Sequence, residues 1–144
     1  MKIEKSLENN QICCVLFLDM SGAFNKASTR GMVKALEDVG APREVVIWVE
    51  HMLNNRRVSA QINMDVVKKW IKRGCPQGGI LSVILWNLLE LDLKRRFPAG
   101  HPTHINVYGD DKHDISVGID VREVVKNLQN DISVMEDWAT QHSL

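Results

Sequence analysis

Two alternating runs near the carboxyl end of the chain constrain its fold more than any other feature. Ile105 and Val107 alternate with polar residues, and Ile115 and Val117 do the same beyond Gly109 to Asp111. Alternation with a period of two is typical of β-strands, and a glycine followed by acids suits a tight turn. The pattern therefore predicts an antiparallel hairpin with its reversal at 109–111.

The turn of this hairpin holds two adjacent acids, Asp110 and Asp111. Carboxylates this close repel each other unless a cation or a proton compensates, although the same pair is also ordinary turn chemistry. A third acid, Asp19, ends the apolar run CCVLFLDM (13–20), which predicts a central strand covered on both faces. If the two strands are neighbours, three carboxylates converge at one edge, where divalent cations that take oxygen ligands would bind.

The remaining elements are predicted from apolar spacing and from capping residues. They are a helix from Ser28 or Thr29 to Gly40, a helix over 43–53, two short strands within 57–73 around 63–65, a largely buried helix over 80–97 and a helix over 121–140. This order predicts an α+β domain in which helices pack on one face of an antiparallel sheet.

Length and composition indicate one domain with an intracellular location. The chain has 144 residues, 44% of them hydrophobic, and shows neither a membrane-length apolar run nor a signal sequence. Its three cysteines have no metal-site spacing, and we interpret Cys13 and Cys14 as buried apolar residues. The four tryptophans are predicted to lie in the core, namely Trp48, Trp70, Trp86 and Trp138. The five histidines show no ligand spacing.

The net charge is zero, but the charges are unevenly distributed. Between positions 56 and 73 the sequence has six basic residues and one acid, Asp65. The basic residues are Arg56, Arg57, Lys68, Lys69, Lys72 and Arg73. Such a segment could follow a phosphate backbone, or it could be a solvated charged hairpin.

Three segments in this order and separation resemble the polymerase motifs A, B and C of reverse transcriptases. They are LFLDMSGAFNKAS, RGCPQGGILSVILWNLL and VYGDDKHDISV, and the resemblance is strongest to the enzymes of non-LTR (LINE-type) retrotransposons. Each motif alone is weak, whereas the ordered set is specific. The resemblance covers nearly the whole chain and implies a ferredoxin-like polymerase palm that joins dNTPs to a DNA primer on an RNA template.

The resemblance also implies roles for individual residues. Asp19, Asp110 and Asp111 would be catalytic and, with the Met20 carbonyl, would bind two Mg²⁺ ions, for which Mn²⁺ could substitute. The nucleotide would be bound by backbone N–H groups at Gly22 and Ala23, by Phe24 as a gate against the ribose 2′-OH, and by Gln77 and Gly78. Tyr108 and Gly109 would lie near the primer end.

The aromatic residue five positions after Asp19 bears on the polymerase class. Viral RNA-dependent RNA polymerases share YGDD but place an acid there to recognise ribose, so Phe24 favours deoxynucleotides. The chain departs from the pattern of the family that it resembles at Asn25, at Val83 and at Lys112 to Asp114, where apolar residues usually follow the acidic pair. Such polar residues would cost several kcal/mol if buried, at about 1–3 kcal/mol for each unpaired group.

The extent of the resemblance predicts a partial domain. Residues 1–144 would form the palm, with the fingers and thumb of the parent polyprotein missing, so the chain alone is expected to be inactive. The alternative is a non-catalytic relic of a retrotransposon that keeps the fold and at most binds nucleic acid weakly. An RNA-dependent RNA polymerase palm is the less favoured alternative.

Overall fold

The computed structural model describes residues 2–109 and 111–144. Its elements are α1 (Lys2–Glu8), β1 (Ile12–Leu18), α2 (Ala23–Lys26), α3 (Thr29–Asp38), α4 (Arg43–Asn54), β2 (Arg56–Ile62), β3 (Asp65–Ile71), α5 (Ile80–Arg95), β4 (Thr103–Tyr108), β5 (Asp111–Gly118) and α6 (Val121–His142). Asp110, a predicted metal ligand, lies outside the described residues. The mixture of helices with antiparallel strands is the predicted α+β class.

The chain divides into two compact units. The first comprises the residues up to Ser21 together with Glu90–Gln141, and it contains an antiparallel sheet in the order β1–β5–β4. The second comprises Gly22–Leu89 with His142–Leu144 and contains α2 to α4 and the two-stranded hairpin β2–β3.

The predicted hairpin at the carboxyl end is confirmed, because β4 ends at Tyr108 and its partner β5 begins at Asp111. The prediction for β1 is wrong in part. This strand lies at the edge of the sheet rather than at its centre, and Phe17 on its open face is 78% exposed. An unbroken apolar run indicates a strand, but its neighbours are set by elements distant in the sequence.

The covered face of β5 carries polar residues, which reverses the usual arrangement for this strand. Lys112, Asp114 and Ser116 of β5 are buried, whereas Ile115 and Val117 between them are only half-buried. Successive side chains of a strand point to opposite faces, so the three polar residues share one face. The departures from the family pattern at Lys112 and Asp114 are therefore buried.

Two predictions of burial are wrong. Cys13 and Cys14 are half-buried, because β1 is an edge strand with one open face. Trp48 and Trp70 are exposed, while Trp86 and Trp138 are buried as predicted. Trp48 lies beside the buried stripe of α4 rather than in it, and Trp70 belongs to a hairpin of only two strands.

The helix and hairpin predictions in the second unit mostly hold. The Ser28 hydroxyl accepts a hydrogen bond from the Gly31 N–H and caps α3, and β2 and β3 pair across Asn63 and Met64. Helix α5 is less buried than predicted, since Ile80 and Val83 are exposed on its outer side. The short helices α1 and α2 were not predicted.

Candidate functional site

Two of the predicted metal ligands meet at one end of the three-stranded sheet. The last pair of the β1–β5 ladder joins Leu18 to Lys112, so Asp19 follows that pair on one strand and Asp111 precedes it on the other. Residues opposite each other in an antiparallel pair have Cβ atoms about 4.5–5.5 Å apart. Both carboxylates are exposed at this end of the sheet. The register thus brings together two acids that lie far apart in the sequence.

The oxygen atoms at this end suit a hard divalent cation. Carboxylates together with backbone carbonyls are the ligands that Mg²⁺ takes in proteins, and Met20 places a carbonyl directly after Asp19. Within residues 2–109 and 111–144, no group of three His, Cys, Asp or Glu side chains could hold a metal ion. The third proposed carboxylate, Asp110, lies outside that range, so metal binding stays a prediction.

A recess of about 160 Å³ adjoins this acidic end. Asp19, Met20 and Lys112 line it together with apolar residues of α6. The Lys112 ammonium lies 2.7 Å from the buried Glu90 carboxylate and 5.7 Å from the centre of the Trp138 ring. Burial raises the pKa of Glu90, and Lys112 opposes this rise through a hydrogen bond and its charge. The buried lysine beside the acidic pair is therefore matched by a buried acid.

The second buried polar residue of β5, Asp114, has an acid of another element as its neighbour. The Asp131 carboxylate of α6 accepts a hydrogen bond from the Thr103 hydroxyl and lies 3.4 Å from the His101 ring. Burial raises the pKa of Asp114 to about 7, and the neighbouring Asp131 carboxyl adds to the rise. Asp131 thus acts on Asp114 as a nearby like charge, which favours the protonated form of Asp114.

In the second unit, the predicted nucleotide-binding residues lie at the start of α2. Gly22 precedes the helix with φ +72°, a left-handed conformation that favours glycine. Ala23 is buried, and the half-buried Phe24 ring lies 5.4 Å from the ring of Trp86 on α5. The aromatic contact holds the predicted gate residue against a rigid helix.

The loop 74–79, which contains Gln77 and Gly78, is attached to the segment that carries Phe24. The Cys75 N–H donates to the Phe24 carbonyl and the Gly74 N–H donates to the Ala27 carbonyl, both at 2.8 Å. A Cβ atom on Gly74 would lie 2.4 Å from the Phe24 carbonyl oxygen, so the close approach requires glycine. Gln77 and Gly78 are exposed, and Gly78 has φ +86°. The structure therefore brings all five predicted nucleotide-binding residues onto two hydrogen-bonded segments.

The residues predicted near the primer lie at the hairpin end of the first unit. Tyr108 is exposed at the end of β4, and Gly109 follows it with φ +63°. The left-handed backbone at position 109 favours glycine whether or not a primer binds there.

The six basic residues of 56–73 differ in what they contact. The Arg56 guanidinium donates to the carbonyls of Leu53, Arg73 and Gly74, which holds the base of the hairpin together. Arg57 lies over the Trp70 ring at 5.9 Å. The other four are exposed, namely Lys68, Lys69, Lys72 and Arg73. Arg56 thus has a structural role, while the remaining cations face solvent.

The sequence analysis missed three residues that shape these regions. Gly74 belongs to the Gly- and Pro-rich loop GCPQGG, and the sequence predicted no packing role for it. Glu90 and Asp131 were not predicted to lie beside Lys112 and Asp114. An acid within the long apolar run of α5 is a visible signal of a buried partner, whereas Asp131 lies in an ordinary amphipathic helix.

Comparison with known proteins gives one family, one relative and one solved structure. The family described as "Reverse transcriptase (RNA-dependent DNA polymerase)" matches residues 2–144. The 115 kDa protein of the type-1 retrotransposable element R1DM of Drosophila melanogaster is 26% identical over 126 residues. This match covers 87% of the chain and 12% of that protein. The two matches confirm the predicted resemblance to a retrotransposon reverse transcriptase.

A solved structure supports the fold. The apo telomerase of Candida tropicalis, truncated from its C-terminal domain, superposes with a TM-score of 0.66 at 13% identity. The alignment covers 92% of this chain and 30% of the telomerase chain. In the described residues, no helix is long and apolar enough to cross a membrane.

Proposed function

Because the chain belongs to the reverse transcriptase (RNA-dependent DNA polymerase) family, we propose that residues 1–144 are the palm of an RNA-directed DNA polymerase from a LINE-type retrotransposon. Such a palm joins a dNTP to the 3′-OH of a DNA primer on an RNA template inside the cell. The observation that carries the proposal is the β1–β5 register, whose last pair, Leu18 and Lys112, is adjoined by Asp19 on one strand and by Asp111 on the other.

The acidic end is the proposed catalytic centre. Asp19, Asp110, Asp111 and the Met20 carbonyl would hold two Mg²⁺ ions, which Mn²⁺ could replace. Two such ions, when bound, activate an attacking hydroxyl and stabilise the leaving phosphate. The role of the protein residues is to supply oxygen ligands at a fixed separation. The Lys112–Glu90 pair keeps the adjoining part of β5 in place, which preserves that separation.

The start of α2 and the loop 74–79 form the proposed nucleotide-binding region. Backbone N–H groups at Gly22 and Ala23 would bind the triphosphate, as anion-binding backbone segments do. The Phe24 ring would exclude a ribose 2′-OH, and its contact with Trp86 limits its freedom to turn aside. Gln77 and Gly78 would contact the nucleotide and the template side.

The partners of the palm extend beyond this chain. Tyr108 and Gly109 would contact the primer end, and the exposed cations of 57–73 would contact the phosphates of the nucleic acid. The chain spans 12% of the retrotransposon protein and 30% of the telomerase chain that it matches. We therefore propose that polymerisation needs fingers and thumb in addition to residues 1–144.

One structural observation favours a working palm over a relic. The departure at Lys112 is matched by a buried acid from another element, Glu90. Unselected substitutions leave buried polar groups without such partners at about 1–3 kcal/mol each. The family that matches the chain also uses deoxynucleotides, so nothing favours an RNA-dependent RNA polymerase.

Metal binding by the isolated chain is the direct test. Titration with Mn²⁺, followed by electron paramagnetic resonance, should show binding that Asp19→Asn and Asp111→Asn each weaken at least about tenfold, since each removes a charged ligand. Asp65→Asn removes an exposed carboxylate from the hairpin and serves as the control. Equal binding by all four proteins would contradict the proposed centre.

Sugar selection tests the second region in a protein that includes fingers and thumb. Phe24→Ala should admit ribonucleotides in a primer-extension assay, because the ring no longer meets the 2′-OH. Phe24→Tyr keeps the ring and should retain discrimination. Unchanged discrimination in Phe24→Ala would remove Phe24 from the gate.

A further inference from the structure

The two faces of the β2–β3 hairpin differ in their chemistry. The register pairs Arg57 with Trp70, Ser59 with Lys68 and Gln61 with Val66, so these six residues share one face, here called the basic-aromatic face. The opposite face carries five apolar residues, namely Val58, Ala60, Ile62, Val67 and Ile71. It also holds Arg56, Lys69 and Asp65. Among the described residues of both strands, the basic-aromatic face has cations and hydrogen-bond donors but no acid.

Trp70 is exposed in a way that a structural role does not explain. It remains 59% exposed, and the Arg57 guanidinium covers one side of its ring at 5.9 Å. Lys68 lies two residues earlier on the same strand, or about 7 Å away along its axis. This distance is comparable to the step between successive phosphates of an extended nucleic-acid strand. Aromatic rings flanked by cations on a sheet face are a known platform for unpaired bases.

Trp48 provides an internal comparison. It is also 59% exposed, but it lies on α4 with Glu44 four residues earlier on the same side of the helix. Exposure alone therefore does not distinguish the two tryptophans. Only Trp70 combines exposure with two cations on its own face.

We propose that the basic-aromatic face binds single-stranded nucleic acid, with Trp70 stacking on an unpaired base and Arg57 and Lys68 contacting neighbouring phosphates. This inference rests on the proposed nucleic-acid binding of residues 56–73 and assigns it to one face. Stacking requires a base whose face is free, so an unpaired strand binds and a blunt duplex does not. Arg56 makes no contribution, because its guanidinium is held by three carbonyls.

The experiment measures binding of the full 144-residue chain to a fluorescein-labelled 12-nucleotide single-stranded RNA by fluorescence anisotropy at low salt. Trp70→Ala should weaken binding about tenfold or more, as loss of one base–aromatic stack does. Trp70→Phe keeps an aromatic ring and should retain most of the affinity. Trp70→Leu keeps an apolar side chain without a ring and should behave like Trp70→Ala. Trp48→Ala, the matched control, should bind like wild type.

The electrostatic part has its own control. Lys68→Ala should reduce the slope of log affinity against log salt concentration by about 0.7, the value for one phosphate contact to a single strand. Lys126→Ala removes an exposed lysine from α6 and should leave the slope unchanged. Thermal melting of each variant shows whether the fold is retained.

Four outcomes would overturn the inference. Equal RNA affinity for wild type and Trp70→Ala would remove Trp70 from the interface. Equal affinity of wild type for the single strand and a blunt duplex would exclude stacking. If Trp70→Ala changes the oligomeric state in sedimentation but not the affinity for RNA, the face serves protein association. Absence of RNA binding by wild type would end both this inference and the proposed role of 56–73, while Mn²⁺ binding still tests the catalytic centre separately.

Discussion

Strand β5 and the hairpin β2–β3 both alternate in polarity, yet they use the alternation in opposite ways. In β5 the polar residues Lys112 and Asp114 are buried against helices, and each meets a buried acid. In the hairpin most of the apolar residues, and Trp70, are exposed. The difference shows that a strand pattern specifies which residues share a face, while the covering elements decide which face is buried.

The largest expected effect comes from breaking the buried pair beside the acidic end. Lys112→Met leaves Glu90 buried without a counter-ion and should lower the free energy of unfolding by about 3–5 kcal/mol. Chemical denaturation measures this change. The double variant Lys112→Met with Glu90→Leu should recover most of the loss, because no charge is then left buried. A double variant as unstable as the single one would show that the pair is not the cause.

Substitution of a buried tryptophan should lower the free energy of unfolding far more than substitution of an exposed one. Trp138→Ala should destabilise the protein by about 3–5 kcal/mol, since it removes a fully buried ring. Trp70→Ala and Trp48→Ala should each cost less than about 1 kcal/mol. Urea titration of the three variants compares them directly, and a loss at Trp70 as large as that at Trp138 would contradict the exposed position of the hairpin.

Two glycines of the loop 74–79 should differ in how much a substitution by alanine lowers the free energy of unfolding. Gly74→Ala places a Cβ 2.4 Å from the Phe24 carbonyl oxygen in a left-handed backbone. Overpacking and strain together should cost about 2–4 kcal/mol. Gly78→Ala, at φ +86° with nothing within 4 Å among the described residues, meets the strain alone and should cost about 1–2 kcal/mol. Equal losses in differential scanning calorimetry would contradict the close approach.

The carboxyl pair of Asp114 and Asp131 should make stability depend on pH. The pKa of Asp114 in the folded chain is about 7, above its ordinary value near 4. A raised folded-state pKa means that the folded chain binds a proton more tightly, so this contribution is complete below about pH 4 and is lost as the pH rises through about 7.

Asp114→Asn removes this titration while preserving a neutral polar side chain. Wild type should therefore lose unfolding free energy relative to Asp114→Asn as the pH rises from 4 to 7.5. Denaturation at five pH values measures it. A difference that stays constant, or that moves in favour of wild type, would show that Asp114 does not carry the raised pKa.

Much of the fold and part of the site could be predicted from the sequence. The hairpin around 109–111, the cap at Ser28 and the strands flanking Asn63 all follow from local patterns, and the structure has them. The ordered motifs around Asp19, Gln77 and Asp111 indicated the family that the comparison then matched. These signals are local, because capping, turn chemistry and alternation depend on residues close in the sequence.

The sequence by itself determined the longer helices, the strands, the faces of each strand and the identity of the acids that follow β1 and begin β5. Only the tertiary structure decided that Asp19 and Asp111 adjoin the same end of a strand pair, that Lys112 and Asp114 are buried, and that Trp70 is exposed. The physical reason is that burial and pairing depend on which distant segment covers a face. Glu90 makes the buried Lys112 tolerable, whereas in the hairpin only two strands pair and Trp70 remains exposed.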